Sequence, residues 1–196
     1  MTRNAWILFA ALSMVSSGLA GCGYSLRGAT RPFFENHNIR TLYVTPVKNN
    51  SYKAGVEITI YNALRKRVSQ GGYVRLVDNP ADADAQIEAA VMQADYAPSA
   101  ITSADQIAPL LTGPSNILIA SSYQVSLQVK FNLYDRDKKS LWGQILSRTE
   151  SFQATTFNGP LGSTSGLINE SEFDRSLGNL SSAIVTDAEE SINTIF

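Results

Sequence analysis

The feature that most constrains the fold is an unbroken alternation of apolar and polar side chains between residues 122 and 134. Apolar residues occupy every second position, and Gln, Ser, Lys or Asn side chains stand between them. Successive side chains of a strand point to opposite faces of a sheet, so a strict period of two predicts a half-buried strand. The polar residues 135–139 then predict a turn, and residues 141–153 are predicted to return as the antiparallel hairpin partner.

The first element of the predicted domain is a strand over residues 39–47, where Leu42 and Val44 alternate with Tyr43 and Thr45. Residues 49–51, Asn-Asn-Ser, offer capping side chains for a helix start. The helix stripe that follows recurs every four residues and comprises Val56, Ile60, Leu64 and Val68. Gly71 and Gly72 are predicted to end this helix, because glycine accepts the left-handed conformation that follows helix ends.

The later elements are two more strands and a second helix. A short strand is predicted over residues 73–77, and a longer one over residues 85–96 with Ile87, Ala89 and Val91 inward. The last helix is predicted to begin near Ser171, and Gly178 weakens it by roughly 1 kcal/mol relative to Ala. Its apolar side comprises Phe173, Leu177, Leu180, Ile184, Ala188 and Ile195.

This order of elements predicts an α+β fold. A strand–helix–strand start favours a right-handed crossover between parallel strands, and the later hairpin extends the sheet antiparallel. Both helix stripes need a sheet face on which to bury. We therefore expect a two-layer sandwich in which two helices pack on a mixed sheet of about four strands.

Residues 97–121 do not fit this scheme, because connections between elements are usually about 4–6 residues long. The segment contains three prolines but also seven large aliphatic residues, more than a solvated linker would keep. It either caps the core or forms a local helix, or it docks on a partner or a lipid. A second loop is predicted over residues 158–166, which are rich in Gly and Ser.

The N-terminus has the layout of an export signal. Arg3 precedes an apolar run over residues 5–15, too short to cross a bilayer, for which about 20 residues are needed. Leu19-Ala20-Gly21-Cys22 resembles the lipobox of bacterial lipoproteins. That resemblance implies cleavage after residue 21 and covalent N-acyl and S-diacylglycerol lipid on Cys22; the alternative is a buried free cysteine. More than one acyl chain is needed for stable anchoring, and this lipid would provide it.

The predicted organisation follows from this signal. Residues 1–21 are a removed signal peptide, residues 22–38 a lipidated tether, and residues 39–196 a single periplasmic α+β domain. Gly23, in place of the aspartate that commonly marks inner-membrane retention, favours the outer membrane, with the domain on its periplasmic side. Cys22 is the only cysteine, so an internal disulfide is excluded.

The composition argues against nucleic acid as a partner. The formal net charge is −1, and charged residues make up 17% of the chain, below the roughly 25% typical of soluble proteins. Interface cores are depleted in charged residues, so a charge-poor surface is easier to bury against a protein partner.

Few residues suit catalysis. His37 is the only histidine and lies in the predicted tether, so it is the one candidate base and is expected to be solvated. With one Cys and one His, the usual zinc sites cannot form, and no metal or further cofactor is expected. The carboxylate pairs Asp82–Asp84 and Glu189–Glu190 could act in acid–base chemistry but are expected to be surface charges. The basic run Arg65-Lys66-Arg67 is expected to be a solvated helix face. The chain is therefore not expected to be an enzyme.

Residues after the lipobox carry a family resemblance. The segment Cys22-Gly23-Tyr24-Ser25-Leu26-Arg27-Gly28 resembles the start of the LptE lipoproteins of lipopolysaccharide assembly, and further likeness lies at residues 39–44, 49–51, 56–57 and 81–84. The resemblance implies a helices-on-sheet domain without enzymatic activity. It also implies that the domain plugs the outer-membrane β-barrel LptD and assists its assembly and lipopolysaccharide transport to the outer leaflet.

Direct contact with lipopolysaccharide has less support from the sequence. Some members of that family are credited with basic residues near the loops at one end of the domain, but residues 97–121 and 153–173 contain no Lys or Arg. Lys130 and Arg148, on the predicted hairpin, remain as weak ligand-binding candidates or as ordinary strand charges. Two other functions stay open: a scaffold or pilot lipoprotein for a different outer-membrane complex, and a lipid-anchored hydrolase that uses His37.

Overall fold

A mixed sheet organises the computed structural model, which describes residues 33–103, 118–154 and 168–194. In these residues there are three helices, six strands and a short 3-10 turn at Pro80–Asp82. The strand order is β3-β1-β4-β5-β6, with β2 paired to β4. In chain order the elements are α1 (Phe33–Asn36), β1 (Thr41–Val44), β2 (Lys48–Asn49), α2 (Val56–Gly71), β3 (Arg75–Val77), β4 (Ala85–Ser103), β5 (Leu118–Asp135), β6 (Ser140–Gln153) and α3 (Glu170–Thr194).

The strand predicted from strict alternation lies at the centre of the antiparallel part of the sheet. It pairs with β4 on one side and with β6 on the other. Its inward side chains are almost completely buried in the core, while the side chains between them are exposed or half-buried. The predicted turn joins β5 to β6, with Lys138 in the left-handed region and its N–H donating to the Asp135 carbonyl. The hairpin prediction is therefore confirmed.

The first strand and its neighbours are parallel, as the strand–helix–strand order predicted. Leu42 of β1 is in register with Leu76 of β3 and with Ala85 of β4. Leu42 and Val44 are buried, whereas Tyr43 and Thr45 are half-buried on the other face. Helices α2 and α3 pack against the same inward face of the sheet and against each other, which gives the expected two layers.

Helix α2 ends as predicted but begins later than predicted. Gly72 follows its last residue at φ 68°, a left-handed conformation that glycine adopts without strain. At the other end Gly55 is the capping residue, and no side chain caps the helix. The predicted capping residue Asn49 lies in β2 instead. Its amide group donates to the Lys53 carbonyl and to Glu57, so it supports the connection between β2 and the helix.

Helix α3 buries the predicted stripe from Phe173 to Ala188; Ile195 lies outside the described residues. Its first turn is capped by Asn169, whose side-chain oxygen accepts hydrogen bonds from the N–H groups of Ser171 and Glu172. No described helix is long and apolar enough to span a membrane.

The counts of two helices and about four strands were too low. The missed helix α1 is a single turn, and the missed pairing of β2 involves two residues, so neither is long enough to show a period. The structure also describes the last residues of the predicted tether, from Phe33 onward. Phe33 and Phe34 of α1 are buried in the core, and Ile39 follows them there. Tertiary packing holds these residues in place, and a helix of one turn is too short to show a periodic pattern in the sequence.

The long connection predicted over residues 97–121 is largely strand at both ends. Strand β4 continues to Ser103 and β5 begins at Leu118, with Ser103 paired to Leu118. Register shifts lie next to Pro98 and Ala100, where a strand can accept a residue that lacks an N–H donor. Residues 104–117 lie outside the described part of the chain, as does the loop predicted over residues 158–166.

Candidate functional site

The predicted lipid-attachment residue Cys22 lies outside the described residues, so its modification stays a prediction. The two other candidates, Lys130 and Arg148, are on neighbouring strands but on opposite faces of the sheet. Arg148 is in register with the inward-facing Leu127, whereas Lys130 lies between the inward-facing Val129 and Phe131. The structure therefore does not bring these two candidates into one site.

Arg148 ties the edge strand to the last helix. Its guanidinium donates two hydrogen bonds, each of 2.6 Å, to the carboxylate oxygens of Asp187 in α3. These hydrogen bonds, with the attraction of the carboxylate's charge, raise the pKa of Arg148 above its usual value. A guanidinium that already donates two hydrogen bonds to one carboxylate is poorly placed to bind a ligand from solution.

Lys130 lies in a groove on the opposite, open face of the sheet. Ala90 of β4 is in register with Lys130 of β5 on one side and with Lys48 of β2 on the other. The groove has a volume of about 480 Å³, and its other polar lining residues include Glu88 and Asn132. We call this feature the lysine groove.

Next to the lysine groove, the same face of the β5–β6 hairpin is polar and uncharged over residues 122–128 and 147–153. The register pairs along it are Ser122 with Gln153, Gln124 with Ser151, Ser126 with Thr149, and Gln128 with Ser147. All eight side chains are exposed or half-buried, and none is ionisable. We call this surface the neutral face. Hydroxyl and amide groups can both donate and accept hydrogen bonds, so such a surface can be buried without leaving an unpaired charge.

The carboxylate pair Asp82–Asp84 proves to be two unrelated groups. Asp84 Oδ2 accepts hydrogen bonds from the Arg40 and Thr41 N–H groups at 3.0 Å and from the Thr41 hydroxyl at 2.9 Å. These donors, led by the Thr41 hydroxyl, lower the pKa of Asp84, and Arg136 adds to the effect from 3.2 Å. Asp82 is exposed. Asp84 therefore joins β1 to the start of β4 and is fixed as a carboxylate, which does not suit a proton-transfer role.

The basic run on α2 is engaged by neighbouring elements more than predicted. Arg65 pairs with Asp78 at 2.9 Å and also contacts Tyr61, while Arg67 pairs with Glu189 of α3. Only Lys66 of the three is classed as exposed. The two arginines are half-exposed, so the face is solvated as predicted, but α3 and the turn after β3 also bring carboxylates to them.

His37 is placed by the fold rather than by a loose tether. It follows α1, is exposed, and its ring lies 4.3 Å from the ring of Phe33, centroid to centroid. It lines an open groove with Asp84 and residues of the β5–β6 turn. Among the described residues that line this groove there is no serine, threonine or cysteine to serve as a nucleophile for His37.

An apolar crevice lies between α2, α3 and the sheet, but it is small. Its volume is about 50 Å³, whereas ligand pockets are roughly 300–1,000 Å³. Phe34, Leu64 and Ile192 are among its lining residues. Over the described ranges, no three His, Cys, Asp or Glu side chains are grouped so that they could hold a metal ion.

Sequence reasoning missed Lys48 and the role of Asp84. Lys48 lies in a two-residue strand, so only the register across β4 shows that it neighbours Lys130. For Asp84 the available signal was weak: it is one of two nearby aspartates, and it directly precedes the predicted strand.

The fold and these surfaces define a helices-on-sheet protein whose sheet carries polar side chains on its open face. A family model described as lipopolysaccharide-assembly, LptE, matches residues 39–193. The chain belongs to the LptE family, whose members are non-catalytic lipoproteins.

Comparison with solved structures finds several matches, and the three described next have TM-scores below 0.5. The hypothetical protein CT253 from Chlamydia trachomatis has 12% identity and a TM-score of 0.47, covering 78% of this chain and 97% of that one. Uncharacterized lipoprotein B from Nitrosomonas europaea has 16% identity and a TM-score of 0.45, with 88% and 91% covered. Lipoprotein GNA1162 from Neisseria meningitidis has 17% identity and a TM-score of 0.42, with 77% and 99% covered. Among curated protein sequences, none matches significantly.

Proposed function

We propose that this protein is anchored by lipid on Cys22 to the periplasmic side of the outer membrane and acts there without catalysis. Its role is to plug the LptD barrel and to assist assembly of that barrel for lipopolysaccharide transport. Membership of the LptE family supports the pathway. The neutral face is the observation that supports burial of this protein against a partner protein.

The argument from the neutral face is one of desolvation. Burying an unpaired charge against a partner costs several kcal/mol, whereas a hydroxyl or amide that finds a hydrogen-bond partner is nearly cost-free. The outward side chains over residues 122–128 and 147–153 contain no charge to be matched. A barrel lumen is lined by polar side chains, which can exchange hydrogen bonds with such a surface.

The test introduces charge into this surface. Gln124 and Ser151 are in register, and the β4 residue opposite Gln124 is the uncharged Ala97, so replacing both, Gln124→Arg and Ser151→Arg, places two cations within the neutral face without a carboxylate in register with them. We expect LptD recovered with the tagged protein from detergent-solubilised outer membranes to fall at least about tenfold, because unmatched buried charges oppose the complex.

A matched control adds the same charge elsewhere. Asn62→Arg with Gln70→Arg changes two exposed positions of α2 and should leave LptD recovery unchanged. Equal recovery with the neutral-face variant, or wild-type protein recovered without LptD, would contradict the proposal. Depletion separates the alternative role: loss of surface lipopolysaccharide supports the proposal, and loss of a secretion pore would instead indicate a pilot lipoprotein.

A further inference from the structure

We propose that a second copy of this protein covers the open edge of strand β6, and that the two β6 strands pair antiparallel about a two-fold axis at Thr149. The pair forms between anchored copies that a barrel does not hold, so the inference goes beyond the proposed function. It joins the two sheets edge to edge and leaves the neutral face of each copy uncovered.

The open edge of β6 is long and lacks the usual protection. In the described part of the chain, β6 pairs only with β5 and ends the strand order, whereas β3, at the opposite end, has three residues. Proteins commonly protect an exposed edge with a proline, with lysines or by shortening the strand. The 14 residues of β6 include no proline and no lysine. Such an edge is a template on which another strand can pair.

The register with β5 shows which backbone groups of β6 face the open edge. The Ala154 N–H donates to the Ser121 carbonyl at 3.0 Å, so these two residues form a hydrogen-bonded pair. The register is unbroken between residues 122–133 and 142–153, so every second residue back from Ala154 also directs its N–H and C=O groups to β5. The residues between them direct these groups to the open edge. All six are exposed and uncharged: Gly143, Ile145, Ser147, Thr149, Ser151 and Gln153.

The side chains of β6 are complementary to themselves in the proposed register. With Thr149 on the two-fold axis, Arg148 of each copy lies opposite Glu150 of the other. Opposite charges directly across two strands stabilise the pairing, and like charges oppose it. Moving the axis by one residue in either direction would set two arginines or two glutamates opposite each other. The neighbouring pairs match apolar with apolar and hydroxyl with hydroxyl: Leu146 with Phe152, and Ser147 with Ser151.

Both charged side chains are held beside the edge by α3 and keep hydrogen-bonding capacity for a second copy. Arg148 uses Nε and Nη2 to donate to Asp187, which leaves the two N–H donors of Nη1. Glu150 Oε1 accepts a hydrogen bond from Asn179 at 3.2 Å, which leaves Oε2. Facing residues that are not hydrogen-bonded through the backbone have Cα atoms about 4.5 Å apart, so Arg148 and the other copy's Glu150 come within contact distance.

The test places a cysteine on the proposed axis of the full-length protein, expressed at its native level in membranes of its native host. The two Thr149 Cα atoms would be about 5.5 Å apart, a distance that a disulfide spans. Thr149→Cys should therefore form a disulfide-linked dimer on oxidation. Ser147→Cys should form at least about tenfold less, because its two Cα atoms would be roughly 14 Å apart. Wild type, whose only cysteine is Cys22, is the blank.

Two further changes are made in the Thr149→Cys background. Glu150→Lys sets like charges opposite each other and should lower the linked fraction about three- to tenfold, whereas Glu35→Lys, the same charge change at an exposed position of α1, should not. Ser147→Pro removes an N–H that faces only the open edge, so it should abolish linkage and leave the thermal unfolding midpoint close to that of Ser147→Ala.

Three results would overturn the inference. One is a linked dimer that is as abundant with Ser147→Cys as with Thr149→Cys, or absent with both. Another is an equal loss of linkage with Glu35→Lys and Glu150→Lys. The third is linkage of Thr149→Cys to a different protein, which would assign the edge to a partner of another sequence. None of these results bears on recovery of LptD, so the proposed function stands or fails separately.

Discussion

At the scale of single residues, tertiary partners decide which charges are structural. Asp84 accepts three hydrogen bonds from Arg40 and Thr41 and receives Arg136 as an ion-pair partner, so it closes the junction between two parallel strands. Asp82, two positions away, is exposed. Arg148 is likewise committed to Asp187, while Lys130 is not committed to any described carboxylate.

Replacing Asp84 tests this assignment. Asp84→Asn keeps one acceptor oxygen but removes the charge, so the free energy of unfolding should fall by about 1–2 kcal/mol at neutral pH. The figure stays modest because the side chain is 33% exposed and solvent screens its charge. Urea denaturation measures it, and Asp82→Asn, the matched control, should change it little.

The lowered pKa of Asp84 also predicts how the stability difference between wild type and Asp84→Asn depends on pH. The folded-state pKa of Asp84 is lowered, so its contribution is fully present above the unfolded pKa, near 3.8, and is lost as pH falls through the folded value. The difference in unfolding free energy between wild type and Asp84→Asn should therefore be constant from about pH 5 to 7 and shrink on acidification. A difference that grows below pH 4 would refute a carboxylate role.

At the scale of elements, two glycines occupy opposite situations. Gly72 ends α2 at φ 68°, where a Cβ is strained, although no atom lies within 4 Å of the added carbon. Gly178 lies within α3, where an added Cβ would also meet nothing within 4 Å and no positive φ is required. Space is therefore not the constraint at either position; only the backbone conformation differs.

We expect opposite effects from the same substitution. Gly72→Ala should lower the free energy of unfolding by about 1 kcal/mol, because alanine disfavours the left-handed conformation. Gly178→Ala should raise it by about 0.5–1 kcal/mol, because alanine loses less backbone entropy within a helix. Chemical denaturation of the two variants side by side measures both; a stabilised Gly72→Ala would show that the helix does not end as described.

At the scale of the whole molecule, the sheet has two chemically different faces. The inward face buries one apolar cluster under α2 and α3, and the outward face carries the neutral face and the lysine groove. Among the ion pairs of the described residues, Arg67–Glu189 joins the two long helices and Arg148–Asp187 joins α3 to the sheet. The open face is thus the side of the sheet left available to partners. The lipid anchor is predicted at Cys22, before the described residues begin.

The anchor is tested by Cys22→Ser. Without the thiol no diacylglyceryl group can attach, so the protein should leave the membrane fraction of its native host. Its thermal unfolding midpoint should match that of the wild type, because the described core begins at Phe33. Mass spectrometry of wild-type protein from native membranes should show an acylated Cys22. An unmodified thiol there would contradict the lipoprotein assignment.

The sequence by itself determined the features that repeat with a regular period. The alternation in β5, the four-residue stripe of α2 and the stripe of α3 were read correctly, because burial on one side imposes a period along the chain. Parallel pairing of the first strands followed from the order of elements. Family membership was also readable from local motifs.

Only the tertiary structure decided the features that depend on residues far apart in the chain. The burial of α1, the pairing of β2 and the hydrogen bonds to Asp84 each involve too few neighbouring residues to produce a periodic pattern in the sequence. Lys48 and Lys130 are more than eighty positions apart, and only the strand order places them on either side of Ala90. Periodicity records which side of an element is buried, but it does not record which element lies next to it.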